Sequence, residues 1–173
     1  MIILYRILTY ILLPYALILG IMGIVAFLFA LGNPGFLLGV FMLVAFIIYF
    51  ISSFKFLHRG ILYLQPVTSK LRDWIKVNAY VTLPFAILMF MNSFAVIKNP
   101  ALLEDSLKQM AEMQKKMGVP VQAASTYTNS LLTVFYIMLF LSVVILVHIM
   151  LTFTFLKKYE GLFNPKDESE NQE

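Results

Sequence analysis

The sequence predicts an all-α polytopic membrane protein with four transmembrane helices and one extracytoplasmic amphipathic helix, and three observations carry that prediction. Hydrophobic residues make up 61% of the chain and charged residues 13%, and the mean hydropathy is +0.86, far from soluble globular usage. A soluble core could not hide so much apolar surface, so lipid is the solvent for most of the chain and the backbone must close its own hydrogen bonds there. The apolar residues come in unbroken runs, which select helices over the alternating strands of a barrel. One long polar interruption, Asn99 to Ser130, separates the third run from the fourth.

The first run, Ile7–Leu31, would extend roughly 37 Å as a helix, more than the ~30 Å hydrocarbon core, so it crosses with tilt. It is too long for a secretory signal and is expected to stay as an anchor. Pro14 inside it removes a backbone donor and is expected to kink it. Ala16, Gly20, Gly23, Ala26 and Ala30 fall within about 120° of arc and form a small-residue face that admits a second helix at close range. Gly32-Asn33-Pro34-Gly35 carries no charge and is rich in turn formers, so the first two spans form a tight hairpin. The second span, Phe36–Leu57, ends at Lys55, His58 and Arg59, whose long basic side chains reach the headgroups.

Gly60 to Thr68 reads as a connector, with Thr68 or Ser69 placed to cap the next helix. Leu71, Trp74 and Ile75 against Lys70, Arg72, Asp73 and Lys76 make a short amphipathic turn with Trp74 as an interfacial anchor. The third span, Val77–Ile97, carries Pro84 and a polar stripe: Asn78, Thr82, Asn92 and Ser93 share about 100° of arc. Asn99-Pro100 opens, and Gly118 with Pro120 closes, a helix over residues 100–117. Its apolar side holds Leu102, Leu103, Leu107, Met110, Met113 and Met117. Glu104 with Lys108 and Glu112 with Lys116 pair the favourable way round on the other side. Leu103, Leu107, Met110, Met113 and Met117 are the candidate interaction face, on lipid, on the ends of the spans or on a partner. Residues 121–130 read as a polar tether, and the fourth span as Leu131–Leu156, closed by Lys157, Lys158 and Tyr159. Residues 1–163 are thus read as one transmembrane domain, and 164–173 as a disordered, net acidic tail.

Four of the thirteen Lys and Arg residues, Lys98, Lys108, Lys115 and Lys116, fall on one side of this plan and the other nine on the opposite side. The positive-inside rule then places both termini in the cytoplasm and the 100–117 helix outside. The basic residues sit at span ends, where they anchor to headgroups, and nucleic acid is not an expected partner. The expected partners are the bilayer and either a membrane protein or further copies of this chain.

The absence of cysteine excludes disulfides, thiolate metal sites and thiol nucleophiles. No Asp or Glu falls within a span, no His/Glu cluster has metal spacing, and no phosphate loop or nucleophile elbow is present. No cofactor or metal is therefore expected, and no enzyme. His148 is the only ionisable side chain, tyrosines aside, well inside a span. Intramembrane ionisable groups are functional candidates by default, but a neutral imidazole satisfied by a hydrogen bond across to another helix serves equally as structure. The expected partners of His148 are Asn78, Thr82, Asn92 and Ser93 on the third span, with Thr152 one turn away on its own helix, and His148 is placed close in depth to Thr82.

The whole plan resembles a family of small four-pass bacterial membrane proteins of unknown function. Lys98-Asn99-Pro100 followed by Ala101 to Gly118 carries the likeness. The resemblance implies a bacterial cytoplasmic membrane and supplies no activity. From the residues, the chain is read as a non-catalytic accessory, assembly or interaction subunit. The alternative is a small oligomeric transporter or channel subunit for an uncharged solute, its path lined by the polar stripe and His148.

Overall fold

The computed structural model of the chain describes residues 1–32, 37–116 and 125–163. Among these residues five α-helices run in order: α1 Ile2–Gly32, α2 Leu37–Lys55, α3 Ser69–Lys98, α4 Ala101–Lys116 and α5 Ser125–Lys158. A π-helical turn, Phe56–Leu62, continues α2, and a 3-10 turn, Glu160–Leu162, succeeds α5. Among the described residues the only extended pairing is an isolated parallel bridge between Val67 and Phe163. Four stretches, Ile2–Gly32, Leu37–Leu62, Ser69–Lys98 and Ser130–Lys158, are long and apolar enough to cross a membrane, so the protein is an all-α, multi-pass membrane protein.

The helices begin earlier than the apolar runs. α1 starts at Ile2 and not Ile7, and α3 takes in the whole amphipathic turn from Ser69. α5 starts at Ser125, inside the stretch read as a tether. Hydropathy marks where lipid contact begins, whereas the helix continues into the interface because its backbone hydrogen bonds remain closed there. Pro14 and Pro84 lie within α1 and α3 without ending either helix.

The described chain divides into two compact units, Met1–Phe85 with Ile145–Glu173, and Ala86–Val144. In the first, α1 packs along α2 through the small-residue face. Ala16 and Ala30 are buried, a Cβ on Gly20 would sit 3.8 Å from Ile47 Cδ1, and one on Gly23 would stand 2.9 Å from Leu43 Cδ2. A side chain at position 23 would therefore require Leu43 to shift or α2 to move away. The opposite side of α1, including Ile7, Ile11, Ile18, Ile21 and Leu28, is exposed, as a lipid-facing surface must be.

One end of this unit is tied by backbone and rings together. Phe56 stacks on Phe163 at 5.4 Å, and the Arg72 guanidinium lies 5.8 Å from the Phe163 ring centre. The Val67 amide donates to the Leu162 carbonyl at 2.9 Å. A Cβ on Gly60 would meet the Phe56 ring at 3.0 Å, so any side chain there would require that ring to shift by a few tenths of an ångström. The turn ends with the Gln65 amide donating to the Arg59 carbonyl at 3.0 Å and Leu64 in the left-handed region, at φ 51°. A left-handed residue is how helices commonly reverse the chain at their ends, at a cost of about 1 kcal/mol or more when it carries a side chain. Beyond it, α3 is capped by Thr68, whose Oγ1 accepts from the Leu71 amide at 3.4 Å.

In the second unit, Met89, Ser93 and Val96 mark the buried side of α3, and Phe90 stacks on Phe94 with Lys98 Nζ 5.7 Å from the Phe94 ring. α4 opens just after Pro100, whose carbonyl accepts from the amides of Leu103 and Glu104. Its described ion pair joins Lys108 to Asp105 at 3.6 Å in place of the expected Glu104. Both acids lie one turn from Lys108 and the pair is solvent-exposed, so the choice between them carries little energy.

Candidate functional site

Three helices each contribute two hydrogen-bonding side chains four residues apart, and so on one face: Tyr5 and Thr9 on α1, Tyr49 and Ser53 on α2, His148 and Thr152 on α5. All six are buried, and His148 is 0% exposed. Aromatic rings wall the imidazole. Tyr5 stacks on it at 5.0 Å and 23°, Phe50 lies tilted at 5.3 Å, and Tyr49 meets it edge-on at 5.6 Å. Phe155 backs Tyr5 at 5.0 Å.

Five short polar contacts run through the ring in one line. Thr9 Oγ1 is 2.7 Å from the Tyr5 carbonyl oxygen and 3.0 Å from His148 Nε2. On the other side, Tyr49 Oη is 2.8 Å from Nδ1 and 2.9 Å from Thr152 Oγ1, which lies 2.8 Å from the His148 carbonyl oxygen. Thr152 Oγ1 is also 3.4 Å from Tyr5 Oη. None of these partners is charged, so a neutral imidazole is the form that this apolar setting favours. A neutral ring brings one N–H, and Thr9, Tyr49 and Thr152 bring one O–H each. The line thus has about four hydrogens for its five contacts, and two arrangements place them equally well.

In the first, Nε2–H donates to Thr9, Thr9 to the Tyr5 carbonyl, Tyr49 to Nδ1, and Thr152 to Tyr49. In the second, every hydrogen points the other way along the line: Thr9 donates to Nε2, Nδ1–H to Tyr49, Tyr49 to Thr152, and Thr152 to the His148 carbonyl. Each leaves one terminal carbonyl contact without a hydrogen, a small loss because both carbonyls belong to helices and already accept a backbone amide. Ser53 Oγ lies beside the Tyr5 and Tyr49 hydroxyls, close to both but without good hydrogen-bond geometry to either.

The partners of His148 are therefore not those that the sequence suggests. They come from α1, α2 and its own helix. Thr82 is buried but donates to the Asn78 carbonyl at 2.7 Å, and Asn78 donates to the Trp74 carbonyl at 2.8 Å. Thr82 thus spends its one donor, and Asn78 one of its two, within α3 and not on His148. Further along, Asn92 is exposed and Ser93 is buried with an unpartnered hydroxyl, so the stripe does not form one buried polar face. Thr152 stands where expected, on the His148 face of α5.

Tyr5, Thr9, Tyr49 and Ser53 are the members that sequence reasoning missed. Their signal was the repeated spacing of four between hydrogen-bonding residues on three separate helices, which a mean over a span hides beneath the apolar residues around them. Of the α4 candidates, Leu103 is buried and Leu107 half-buried, while nothing is described of the side chains of Met110 and Met113 or of Met117. The turn at 33–35 and the tail at 164–173 also lie outside the described residues.

No group of three or more His, Cys, Asp or Glu side chains suited to a metal occurs among the described residues. Compared with models of protein families, with curated proteins and with solved structures, the chain matches none.

Proposed function

We propose that the chain is a non-catalytic accessory, assembly or interaction subunit of a membrane complex, placed in a bacterial cytoplasmic membrane with both termini in the cytoplasm. The observation that carries this reading is the state of His148. Both ring nitrogens are taken up by hydroxyls of the same chain, and aromatic rings cover the imidazole from several directions. An acid–base or substrate-binding histidine needs a nitrogen within reach of substrate or water, whereas this one joins three helices. In lipid the hydrophobic effect adds nothing between spans, so buried hydrogen bonds and close packing hold them. The exposed side of α1 then offers surface to a partner, together with any part of the α4 apolar side left uncovered.

The test is recovery of the tagged chain from native membranes in mild detergent, followed by native mass measurement. A foreign membrane protein in fixed stoichiometry is expected. Recovery as a homo-oligomer alone would overturn this reading and favour the transporter.

A further inference from the structure

α3 carries a groove at its amphipathic end. A cavity of about 290 Å³ is lined by Asp73, Trp74, Val77, Asn78 and Val81 of α3 and by Phe41 of α2. That is space for about ten groups of water or methylene size, at ~30 Å³ each. Asp73 to Val81 covers nine residues, about 12 Å along the helix, so the groove starts among charged residues and runs down into the apolar part of the span. Its floor is apolar and its mouth is not. Trp74 is 54% exposed, the usual posture of an indole at the membrane interface. Lys70 and Lys76 lie three residues before and after Asp73, on neighbouring positions of the same helix face.

We propose that this groove holds one acyl chain of an aminophospholipid, with its ammonium group against Asp73 and the Trp74 ring and its phosphate against Lys70 and Lys76. Every lipid in the bilayer offers an equally apolar chain, so the floor selects nothing and discrimination comes from the headgroup. A purely anionic headgroup would satisfy the lysines but set its charge against Asp73. A headgroup bearing both signs matches the order of charges at the mouth. The competing partner of Asp73 is weak: Arg72 Nε reaches it at 3.4 Å in an exposed pair, and the same guanidinium also rests against Phe163.

Trp74 is the only tryptophan in the chain, so its fluorescence reports this groove alone. The full chain is reconstituted in mixed vesicles of phosphatidylethanolamine and phosphatidylglycerol, with bromines on the chains of one lipid or the other at equal mole fraction. An exposed ion pair and a cation–π contact together favour the aminophospholipid by about five-fold, so the brominated phosphatidylethanolamine is expected to quench more strongly by that preference. Asp73→Asn, a change at an exposed site, is expected to cut the preference to about two-fold, the share of the cation–π contact alone. Equal quenching by the two lipids, stronger quenching by phosphatidylglycerol, quenching by neither, or a preference undiminished by Asp73→Asn would each overturn the proposal.

Discussion

Thr9→Val and Thr152→Val should drive the His148 ring to opposite tautomers, because each removes one end of the hydrogen-bonded line. Without the Thr9 hydroxyl, three hydrogens remain for three short contacts, and all are satisfied only with the proton on Nδ1. Without the Thr152 hydroxyl the same count is satisfied only with the proton on Nε2. The chain has two histidines, so ¹⁵N chemical shifts of labelled imidazoles in detergent or bilayers read the outcome directly. The same tautomer in both variants would refute the network as drawn. Each variant is also expected to lose about 1–2 kcal/mol of stability through its missing bonds. At this scale the sequence was half legible. His148 and Thr152 stand out because a titratable ring inside an apolar run is expensive. Tyr5, Thr9, Tyr49 and Ser53 did not, since a single sequence does not say which helix a buried imidazole will face.

Among the elements, the contact between α1 and α2 depends on the absence of side chains. Gly23→Leu should force the helices apart or push Leu43 from its place, at about 1–3 kcal/mol, the usual cost of overfilling a packed interface. Gly39→Leu, where an added Cβ meets nothing within 4 Å, is the matched control. Thermal unfolding in detergent compares the two, and equal melting temperatures would show that the small-residue face is not what sets the approach. The small-residue face was readable from spacing alone, as were the four apolar helices. The π turn was not. It is a backbone event fixed by how Gly60 fits under Phe56 and by the bridge from Val67 to Phe163, a partner 96 residues further along the chain. Helix starts were misread for a related reason: they depend on where backbone bonds begin, and hydropathy reports only where lipid does.

For the whole molecule, orientation rests on the uneven distribution of Lys and Arg, which predicts that Ser106 lies outside the cell. Ser106 is exposed on α4 and the natural chain has no thiol, so Ser106→Cys should be labelled in intact cells by a membrane-impermeant maleimide. Protection until the cells are opened would invert the topology. The buried cluster carries a further consequence, for the time at which the protein becomes complete. His148 is 139 residues from Thr9 and 99 from Tyr49. At ~5–20 residues per second, roughly 5–20 s of synthesis pass between the making of Tyr49 and of His148. Through that interval the hydroxyl of Thr9 can fall back on the carbonyl of Tyr5 in its own helix, while Tyr49 has only the Ser53 hydroxyl one turn along α2. The nascent chain therefore holds the Tyr49 phenol without its imidazole partner until α5 arrives. A chain stalled before α5 would carry the same mark, which gives membrane quality control a feature that separates an unfinished protein from a finished one.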